Sequence, residues 1–322
     1  MSTRIPLIFG TMTMGFEGCG GVRTSNQSEC QEIIDIFFKY GHTELDTAKG
    51  YGAGTTQQML AKLDLKNATI DTKVPPQNSG HLPASLRATF ETCLQHLQRK
   101  KVRVLYLHAP DRTVPYEDTV REINKIYQEG KFEIFGLSNY TSWEVAEIVG
   151  ICKANGWVQP KIYQVMYNAI TREMDAELLP CCRKFGIRMV IYNPLAGGLF
   201  AGKVTSVEDS VQEGGRFDPK TTQGKNYRAR YLKEGYFKAL DLLKGIADKH
   251  NLRLTEIALR WCQHHSALLP TDGIILGASS AKQLEQNCAD SEKGPLPEEV
   301  VQALDEANRI VKAYGSAPVY FR

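Results

Sequence analysis

The stretch ELDTAKGYGAG, residues 44–54, joins a short strand-like run to a polar loop. The run ends in the carboxylate of Asp46, and the loop carries Lys49 and Tyr51, with a glycine on each side of the tyrosine. Binding and catalytic residues concentrate on loops that a rigid scaffold holds in place, and side chains of this kind contribute little to packing there. We therefore predict that this strand end belongs to a functional site.

Seven further apolar, β-branched runs recur along the chain, separated by segments of helical period. The eight predicted strands are IPLIFG (5–10), TELDTA (43–48), ATIDTK (68–73), VRVLYLH (102–108), FEIFGLSN (132–139), KIYQVMYN (161–168), RMVIYNPL (188–195) and GIILGAS (273–279). Apolar strands that alternate with helices are typical of a parallel sheet covered on both faces. Eight such units close a (β/α)8 barrel, so we predict a single-domain α/β protein, a TIM barrel spanning residues 1–322.

A doubly wound open sheet is the main structural alternative, and it normally carries a glycine-rich turn directly after its first strand. GAGTTQ (52–57) follows the second strand and has Gln57 in the third glycine's place, while GFEGCGG (15–21) does not match the pattern either. The fingerprint of that fold is therefore poorly supported. One long connection, from about Leu199 to Tyr236, has no clear strand. We predict that it is a long loop covering the site.

The composition is that of an ordinary globular protein, with 42% hydrophobic and 23% charged residues among 322 and a net charge of +3. Charges of both signs are interspersed, which gives no indication of nucleic-acid or membrane partners. No stretch approaches the roughly 20 apolar residues of a membrane span, and the N-terminal apolar run is too short for a signal peptide. The eight cysteines form no C-x-x-C pair, and no Cys/His pair has zinc-ligand spacing. We predict a cytoplasmic protein with reduced thiols and no metal.

Polar side chains occupy the carboxyl ends of the predicted strands, which face the active site in a barrel. On strands two to seven they are Asp46, Lys73, His108, Ser138, Asn139, Gln164, Tyr192 and Asn193. Each alone has an ordinary structural explanation, such as a capped turn, a solvated strand end or a buried histidine. Their collection at one end of otherwise apolar strands is not expected from packing and indicates a reaction centre.

Asp46, Tyr51, Lys73 and His108 form a chemically coherent set. An unperturbed tyrosine has a pKa of about 10, and a neighbouring ammonium is expected to lower it. The carboxylate orients the lysine, the tyrosine donates a proton to a carbonyl oxygen, and the histidine hydrogen-bonds the same oxygen. This chemistry suits reduction of an aldehyde or ketone, for which the hydride must come from a nicotinamide cofactor.

Two segments are candidates for binding the phosphates of such a cofactor. NPLAGGLFAGK (193–203) offers small residues and backbone N–H groups, and it includes Lys203. SSAKQLEQN (279–287) follows the last strand and opens a helix, whose N-terminus favours an anion. Both lie after strands seven and eight, the usual phosphate position in a barrel.

The motifs LDTAKGYG, DTK, LYLHAPD, GLSNY, IYQVMYN and YNPLAGG resemble, in this order, those of the aldo-keto reductase family. GTMTMG, GGRF, YRARY, ILGASSAKQLEQN and the terminal YFR are most similar to its aflatoxin-aldehyde reductase group. The resemblance covers essentially the whole chain. It implies a TIM barrel that uses NADPH to reduce small carboxylate-bearing aldehydes, dicarbonyls and dialdehydes, and that forms a homodimer.

The resemblance also implies a role for each matching residue. The catalytic residues would be Tyr51, Asp46, Lys73 and His108. NADPH would be bound by Met12, Asp46, Ser138, Asn139, Gln164, Tyr192, Asn193, Leu195, Gly197, Lys203, Arg216, Ser279, Gln283, Gln286 and Asn287. The substrate, and above all its carboxylate, would be bound by His108, Tyr227, Arg230 and Arg322.

Two stretches depart from the family pattern. Where many members place Lys and Arg against the 2′-phosphate of NADPH, this chain has Gly277 and Gln283. We therefore assign the preference for NADPH to Lys203, Arg216 and Lys282. The segment MGFEGCGGVR (14–23) also differs from the basic segment expected after the first strand, which bears on substrate contacts there.

Two other functions use the same residues. A non-catalytic NADPH-binding subunit that senses redox state would keep the fold and bind the cofactor without turnover. A barrel aldolase would use Lys73 as a Schiff-base nucleophile. The aldolase reading leaves the phosphate-binding segments unexplained.

Overall fold

A computed structural model of the protein describes residues 3–77, 80–204, 206, 209 and 213–322. Eight parallel strands form one closed barrel in which each strand pairs with the next and β8 pairs with β1. The strands are β1 (Leu7–Gly10), β2 (Glu44–Asp46), β3 (Thr69–Val74), β4 (Val102–Leu107), β5 (Phe132–Ser138), β6 (Ile162–Met166), β7 (Arg188–Tyr192) and β8 (Gly273–Gly277). The predicted single-domain TIM barrel is confirmed, and only β3 extends beyond its predicted run, by one residue.

Helices follow the strands and cover the outside of the barrel. They are α1 (Gln27–Lys39), α2 (Thr55–Leu60), α3 (Pro83–Leu97), α4 (Tyr116–Gln128), α5 (Ser142–Ala154), α6 (Leu178–Lys184), α7 (Thr222–Tyr231), α8 (Glu234–Lys249), α9 (Leu254–His264), α10 (Ala281–Ser291) and α11 (Glu298–Ala313). Short 3-10 helices span Tyr51–Gly54 and Ala196–Ala201.

The helix ends show why these segments fold locally. Asn26 caps α1 by accepting hydrogen bonds from the backbone N–H groups of residues 28 and 29. Thr141 and Glu144 form a reciprocal capping box at the start of α5. Helix α1 then buries Cys30, Ile33 and Phe37 at helical spacing against the barrel.

The described residues of the connection between 199 and 236 do not form the long loop that we predicted, and residues 205, 207, 208 and 210–212 of it lie outside the described residues. Helix α7 occupies its second half, with Thr221 capping the N–H of Gly224. The helix is predominantly polar, but Tyr227 and Tyr231 lie four residues apart on one face and are buried. These two rings supply the packing that a polarity pattern does not reveal.

Side chains fill the inside of the barrel below its open end. An inner cluster of Ile8, Val104, Tyr106, Ile162 and Val190 is buried there. A second, larger apolar layer lies between the strands and the helices. The carboxyl ends of the strands therefore project above a packed core, which holds their polar side chains in place.

The helices and the cysteines can be compared with the predictions on membrane spans and thiols. No described helix has the length and apolarity needed to cross a membrane. All eight cysteines are free thiols, and only Cys19 and Cys181 are partly exposed.

Candidate active site

A cavity of about 750 Å³ opens at the carboxyl end of the barrel. It is lined by residues that follow six of the strands and by the segment around α7. Most of the residues predicted from the sequence contribute to its wall: Met12, Asp46, Tyr51, His108, Ser138, Asn139, Gln164, Tyr192, Asn193, Leu195, Gly197, Arg216, Tyr227, Arg230, Ser279, Gln283 and Arg322. Lys73 lies just beneath this wall and is fully buried.

Lys73 links two of the predicted catalytic residues. Its Nζ donates to Oδ2 of Asp46 at 2.6 Å, to the carbonyl of Thr47 at 2.9 Å and to Oη of Tyr51 at 3.2 Å. Three acceptors satisfy the three N–H groups of an ammonium. Because Lys73 donates to the Tyr51 oxygen, the phenol's own proton is free to point into the cavity.

The pKa of Lys73 has a bearing on the aldolase alternative. Burial by itself lowers this pKa, but the charges and hydrogen bonds of Asp46 and Tyr51 outweigh burial and raise it above its ordinary value. A Schiff-base nucleophile must be a neutral amine. Lys73 is held as an ammonium, so the structure disfavours the aldolase reading.

The pKa of Tyr51 differs from the prediction. Lys73 does act to lower it, as expected, but burial of the phenol raises it more, and the pKa lies above its ordinary value. The cause is loss of hydration, which disfavours the phenolate in the wall of a narrow cavity. Tyr51 is therefore a neutral phenol at neutral pH and retains a proton to donate.

His108 lies beside Tyr51, with ring centroids 6.2 Å apart and the planes nearly perpendicular. Burial holds the pKa of His108 well below its ordinary value, and the positive charges of Lys73 and Arg322 lower it further. A neutral imidazole has one N–H donor. This ring can hydrogen-bond an oxygen held near the Tyr51 hydroxyl without adding a charge.

Polar side chains from β5, β6 and β7 complete the floor of the cavity. Gln164 donates from Nε2 to Oδ1 of Asp46 at 2.8 Å. Asn139 donates to the carbonyl of His108 at 2.8 Å and accepts from the Tyr192 hydroxyl at 2.9 Å. No described residue donates to Oε1 of Gln164, which leaves this oxygen as an acceptor for an amide ligand.

The backbone at two of these strand ends is left-handed. Asn139 and Asn193 both have a φ of 62°. Asparagine adopts this conformation more readily than most residues, since its short polar side chain can hydrogen-bond locally. The turn lets each asparagine direct its side chain to the cavity directly after its strand.

The wall of the cavity is strongly cationic. Arg23, Arg216, Arg230 and Arg322 line it, whereas Asp46 is the sole acid among the described lining residues and is paired with Lys73. The guanidinium groups of Arg216 and Arg230 lie 4.9 and 5.3 Å from the centre of the Tyr227 ring. Such a wall favours anionic ligands.

The positive charge of this wall lowers the pKa of Tyr227. Burial raises its pKa, but Arg216 and Arg230 outweigh burial, and the pKa lies below its ordinary value. The hydroxyl accepts from Arg216 at 3.0 Å and donates to the side chain of Asn193 at 3.1 Å. The tyrosine therefore couples α7 to the end of β7.

Four residues that were predicted to bind the cofactor or its phosphate do not line the cavity. Lys203 is exposed after the left-handed Gly202, and Lys282 is exposed on the first turn of α10. Gln286 donates along its own helix to Asp290, and Asn287 is buried beneath α10. Helix α10 presents only its first turn to the cavity, through Gln283, so its later turns face elsewhere.

Several lining residues were missed by sequence reasoning. They are Thr13, Arg23, Lys220, Gln223 and Asn226. All belong to two polar segments whose paths depend on tertiary contacts, residues 13–24 and 213–231. The glycines in both segments and the cationic residues of 213–231 were the available signal.

Comparison with known proteins agrees with this geometry. Residues 6–309 match the sequence model of the Aldo/keto reductase family. The chain belongs to the aldo/keto reductase family. It is an oxidoreductase that reduces carbonyl compounds with a nicotinamide cofactor.

Relatives of this aldo/keto reductase cover nearly all of it. Aflatoxin B1 aldehyde reductase member 2 of Mus musculus is 44% identical, over 98% of this chain and 87% of its own length. Aldo-keto reductase family 7 member A3 of Homo sapiens is 42% identical, over 98% of this chain and 96% of its own. The fold is also that of a glycerol dehydrogenase from Gluconobacter oxydans, with a TM-score of 0.74 at 21% identity, over 97% of this chain and 93% of that one.

Proposed function

We propose that this aldo/keto reductase reduces small carboxylate-bearing aldehydes, dicarbonyls and dialdehydes to alcohols, with hydride from NADPH. The observation that carries the proposal is the placement of Lys73 between Asp46 and Tyr51, at the floor of a cationic cavity. A proton donor there is held beside a fixed positive charge. Reduction of a carbonyl needs both, because negative charge develops on its oxygen.

The chain's residues fit a nicotinamide cofactor. The free oxygen of Gln164, with Ser138 and Asn139, would hold the carboxamide, and the Tyr192 ring would lie against the nicotinamide. At the turn of Gly197 and Gly198, both with positive φ, the N–H of Gly198 donates to the carbonyl of Leu195 at 2.9 Å, which leaves the N–H of Gly197 to face the pyrophosphate. Bound NADPH supplies the hydride, while the protein contributes orientation and charge.

The catalytic residues divide the proton chemistry between them. Tyr51 donates its hydroxyl proton to the carbonyl oxygen, and the Lys73 ammonium stabilises the phenolate that results. Asp46 keeps Lys73 charged and oriented. The neutral His108 donates its N–H to the same carbonyl oxygen and fixes the substrate's angle.

The cations near this centre support a substrate that carries a carboxylate. Burial raises the pKa of Tyr192 and lowers that of His108, and the charge of Arg322 acts to lower both, as a cation close to the reaction centre does. Its backbone N–H donates to the carbonyl of Asn139 at 3.0 Å, which places the C-terminal residue at the cavity. Arg230 lies over Tyr227 and has no carboxylate partner among the described residues. The aldehyde reductases among the relatives agree with the carbonyl class.

We further propose a cytoplasmic enzyme that forms a homodimer. The eight free thiols support a reducing compartment. The dimer rests on the resemblance to the aflatoxin-aldehyde reductase group. Light scattering on the purified protein tests this proposal. A mass near 36.0 kDa indicates a monomer, and twice that mass indicates a dimer.

The test is oxidation of NADPH, followed by absorbance, with succinic semialdehyde and with a simple aromatic aldehyde. Wild type and Tyr51→Phe are compared, with NADH as the cofactor control. We expect turnover in the wild type and a loss of about 100- to 10,000-fold in kcat for Tyr51→Phe, with NADPH binding unchanged. A wild type that binds NADPH but turns over neither aldehyde would support the redox-sensing subunit instead.

A further inference from the structure

We propose that Arg23, on the loop between β1 and α1, forms with Arg216 the site for the 2′-phosphate of NADPH. The assignment rests on the proposed function, since it concerns the same cofactor. Gly277 and Gln283 stand where many family members have a lysine and an arginine, so the end of β8 lacks those cations. Arg23, a loop residue, would take over their role.

The path of the loop brings Arg23 to that end of the cavity. The backbone N–H of Arg23 donates to the carbonyl of Thr13 at 2.7 Å. Thr13 in turn donates from its hydroxyl to the carbonyl of Ala278 at 2.6 Å, and Thr24 donates to the carbonyl of Ser279 at 3.2 Å. Thr13 and Thr24 are both buried. These hydrogen bonds hold the backbone of Arg23 next to residues 278 and 279, which follow β8.

Arg216 reaches the same place from the segment before α7. Its guanidinium donates to the Tyr227 hydroxyl at 3.0 Å, which fixes one side of it. Its Nη2 lies 4.0 Å from the position that a Cβ on Gly277 would occupy. A long side chain at 277 would compete for this space, so the glycine leaves room for the arginine.

The two arginine side chains line the same cavity. The pKa of Arg23 is lowered by partial burial against the cavity wall and then by the charge of Arg216. Arg23 nevertheless has an exposed surface, because it faces the open cavity. No described carboxylate pairs with Arg23 or Arg216. Two like charges held together without a counter-ion form a site for an anion of high charge.

Arg322 occupies a different part of the cavity from Arg23, since its backbone N–H donates to the carbonyl of Asn139 at 3.0 Å. Arg322 acts on Tyr192 and His108, next to the reaction centre, while Arg230 acts on Tyr192 and also lies over the Tyr227 ring that Arg216 contacts. The glycine turn at 197–198 follows β7, whereas Arg23 follows β1, on the other side of β8. A phosphate monoester carries nearly two charges at neutral pH, and a pair of arginine forks matches its oxygens.

Gln283 does not supply the missing interaction. Its Oε1 accepts from the N–H and the hydroxyl of Ser279 at 3.0 and 3.3 Å, so the side chain is turned back on its own helix start. The hydroxyl of Ser280 caps the N–H of Gln283. The first turn of α10 thus offers polarity without a side-chain cation facing the cavity, and discrimination between NADPH and NADH falls to the two arginines.

The experiment measures direct binding of NADPH and NADH to wild type and Arg23→Gln by calorimetry. Adenosine 2′,5′-bisphosphate and 5′-AMP serve as shorter probes with and without the 2′-phosphate. We expect Arg23→Gln to weaken NADPH and the bisphosphate about 10- to 100-fold and to change NADH and 5′-AMP by less than about twofold. Arg23→Lys should recover part of the loss. Arg99→Gln, which removes an exposed charge between α3 and β4, should leave all four affinities unchanged.

The outcomes separate this inference from the proposed function. An Arg23→Gln variant that keeps the wild-type ratio of NADPH to NADH affinity overturns the inference, as does an equal loss for both cofactors. A wild type with no preference for NADPH overturns the NADPH assignment itself. Circular dichroism and thermal unfolding of Arg23→Gln show whether a loss of binding reflects a loss of fold.

Discussion

Gln164 and Asp46, on β6 and β2, meet inside the barrel with Nε2 and Oδ1 2.8 Å apart. Lys73 holds the other carboxylate oxygen of Asp46 at 2.6 Å. A buried carboxylate needs donors on both oxygens to compensate for lost hydration. The amide therefore orients the ion pair on which Tyr51 depends, and it keeps its own oxygen free for a ligand.

Replacing Gln164 by leucine should damage both stability and cofactor binding. Loss of a hydrogen bond to a charged group costs about 1.5–3 kcal/mol, so the free energy of unfolding should fall by that amount. NADPH binding should weaken as well, because the proposed carboxamide acceptor is gone. Urea unfolding and calorimetry measure the two effects.

Gln57→Leu is the matched control for that variant. Gln57 is also fully buried, and its Nε2 donates to the hydroxyl of Thr72 at 2.8 Å, outside the cavity wall. It should lose stability but bind NADPH as the wild type does. Equal losses of NADPH affinity in the two variants would remove Gln164 from the cofactor site.

Removing the ammonium of Lys73 should have separable effects on folding and on catalysis. Lys73→Met leaves Asp46 as a buried carboxylate without its cation, which costs about 3–5 kcal/mol of stability. Adding Asp46→Asn removes the uncompensated charge, so the double variant should recover most of that loss. Neither variant should recover turnover, because no cation remains beside Tyr51. A double variant that reduces succinic semialdehyde at the wild-type rate would contradict the role of Lys73.

The pH dependence of stability should contain a contribution from His108. Its pKa in the folded protein lies well below the ordinary value of 6.5, through burial first and then through Lys73 and Arg322. Below about pH 6.5 the unfolded chain binds a proton that the folded chain does not, so stability falls as the pH decreases towards the folded-state pKa. The slope from this residue is up to about 1.4 kcal/mol per pH unit.

His108→Gln removes this contribution. Urea unfolding of both proteins between about pH 7.5 and about pH 5.0 should show a shallower loss of stability in the variant. The difference should vanish at the upper limit, where both states of the wild type hold a neutral imidazole. Parallel curves for wild type and variant would show that His108 titrates normally in the folded protein.

A methyl group on Gly224 should disturb the segment that carries Arg216. The added Cβ would lie 1.8 Å from the carbonyl oxygen of Asp218, whose side chain holds the backbone N–H of Gly214 and Lys220. Overpacking of this kind costs about 1–3 kcal/mol and shifts the backbone. Gly224→Ala should therefore lose more free energy of NADPH binding than free energy of unfolding.

Gly150→Ala provides the comparison on an open helix surface. Nothing lies within 4 Å of the added Cβ on α5, so helix propensity alone acts. The substitution should stabilise the protein by up to about 1 kcal/mol and leave NADPH affinity unchanged. If Gly224→Ala behaves as Gly150→Ala does, the contact with Asp218 does not position Arg216.

The sequence by itself determined the barrel and the location of its reaction centre. Apolar runs that alternate with amphipathic helices allow one closed parallel arrangement of eight units, and that topology sends every strand end to the same face. Asp46, Lys73 and His108 end consecutive strands, so their proximity follows from the pattern. Tyr51 could be placed with them because it lies only five residues beyond Asp46.

Only the tertiary structure decided the balance of forces at that centre. The pKa of Tyr51 depends on how completely the cavity wall removes water from the phenol, which no local pattern records. The bond from Gln164 to Asp46 joins residues 118 positions apart, and its register is set by the closed barrel. Arg23 reaches the end of β8 because two threonine hydroxyls find carbonyls at 278 and 279. Such contacts join distant parts of the chain, so no local sequence pattern specifies them.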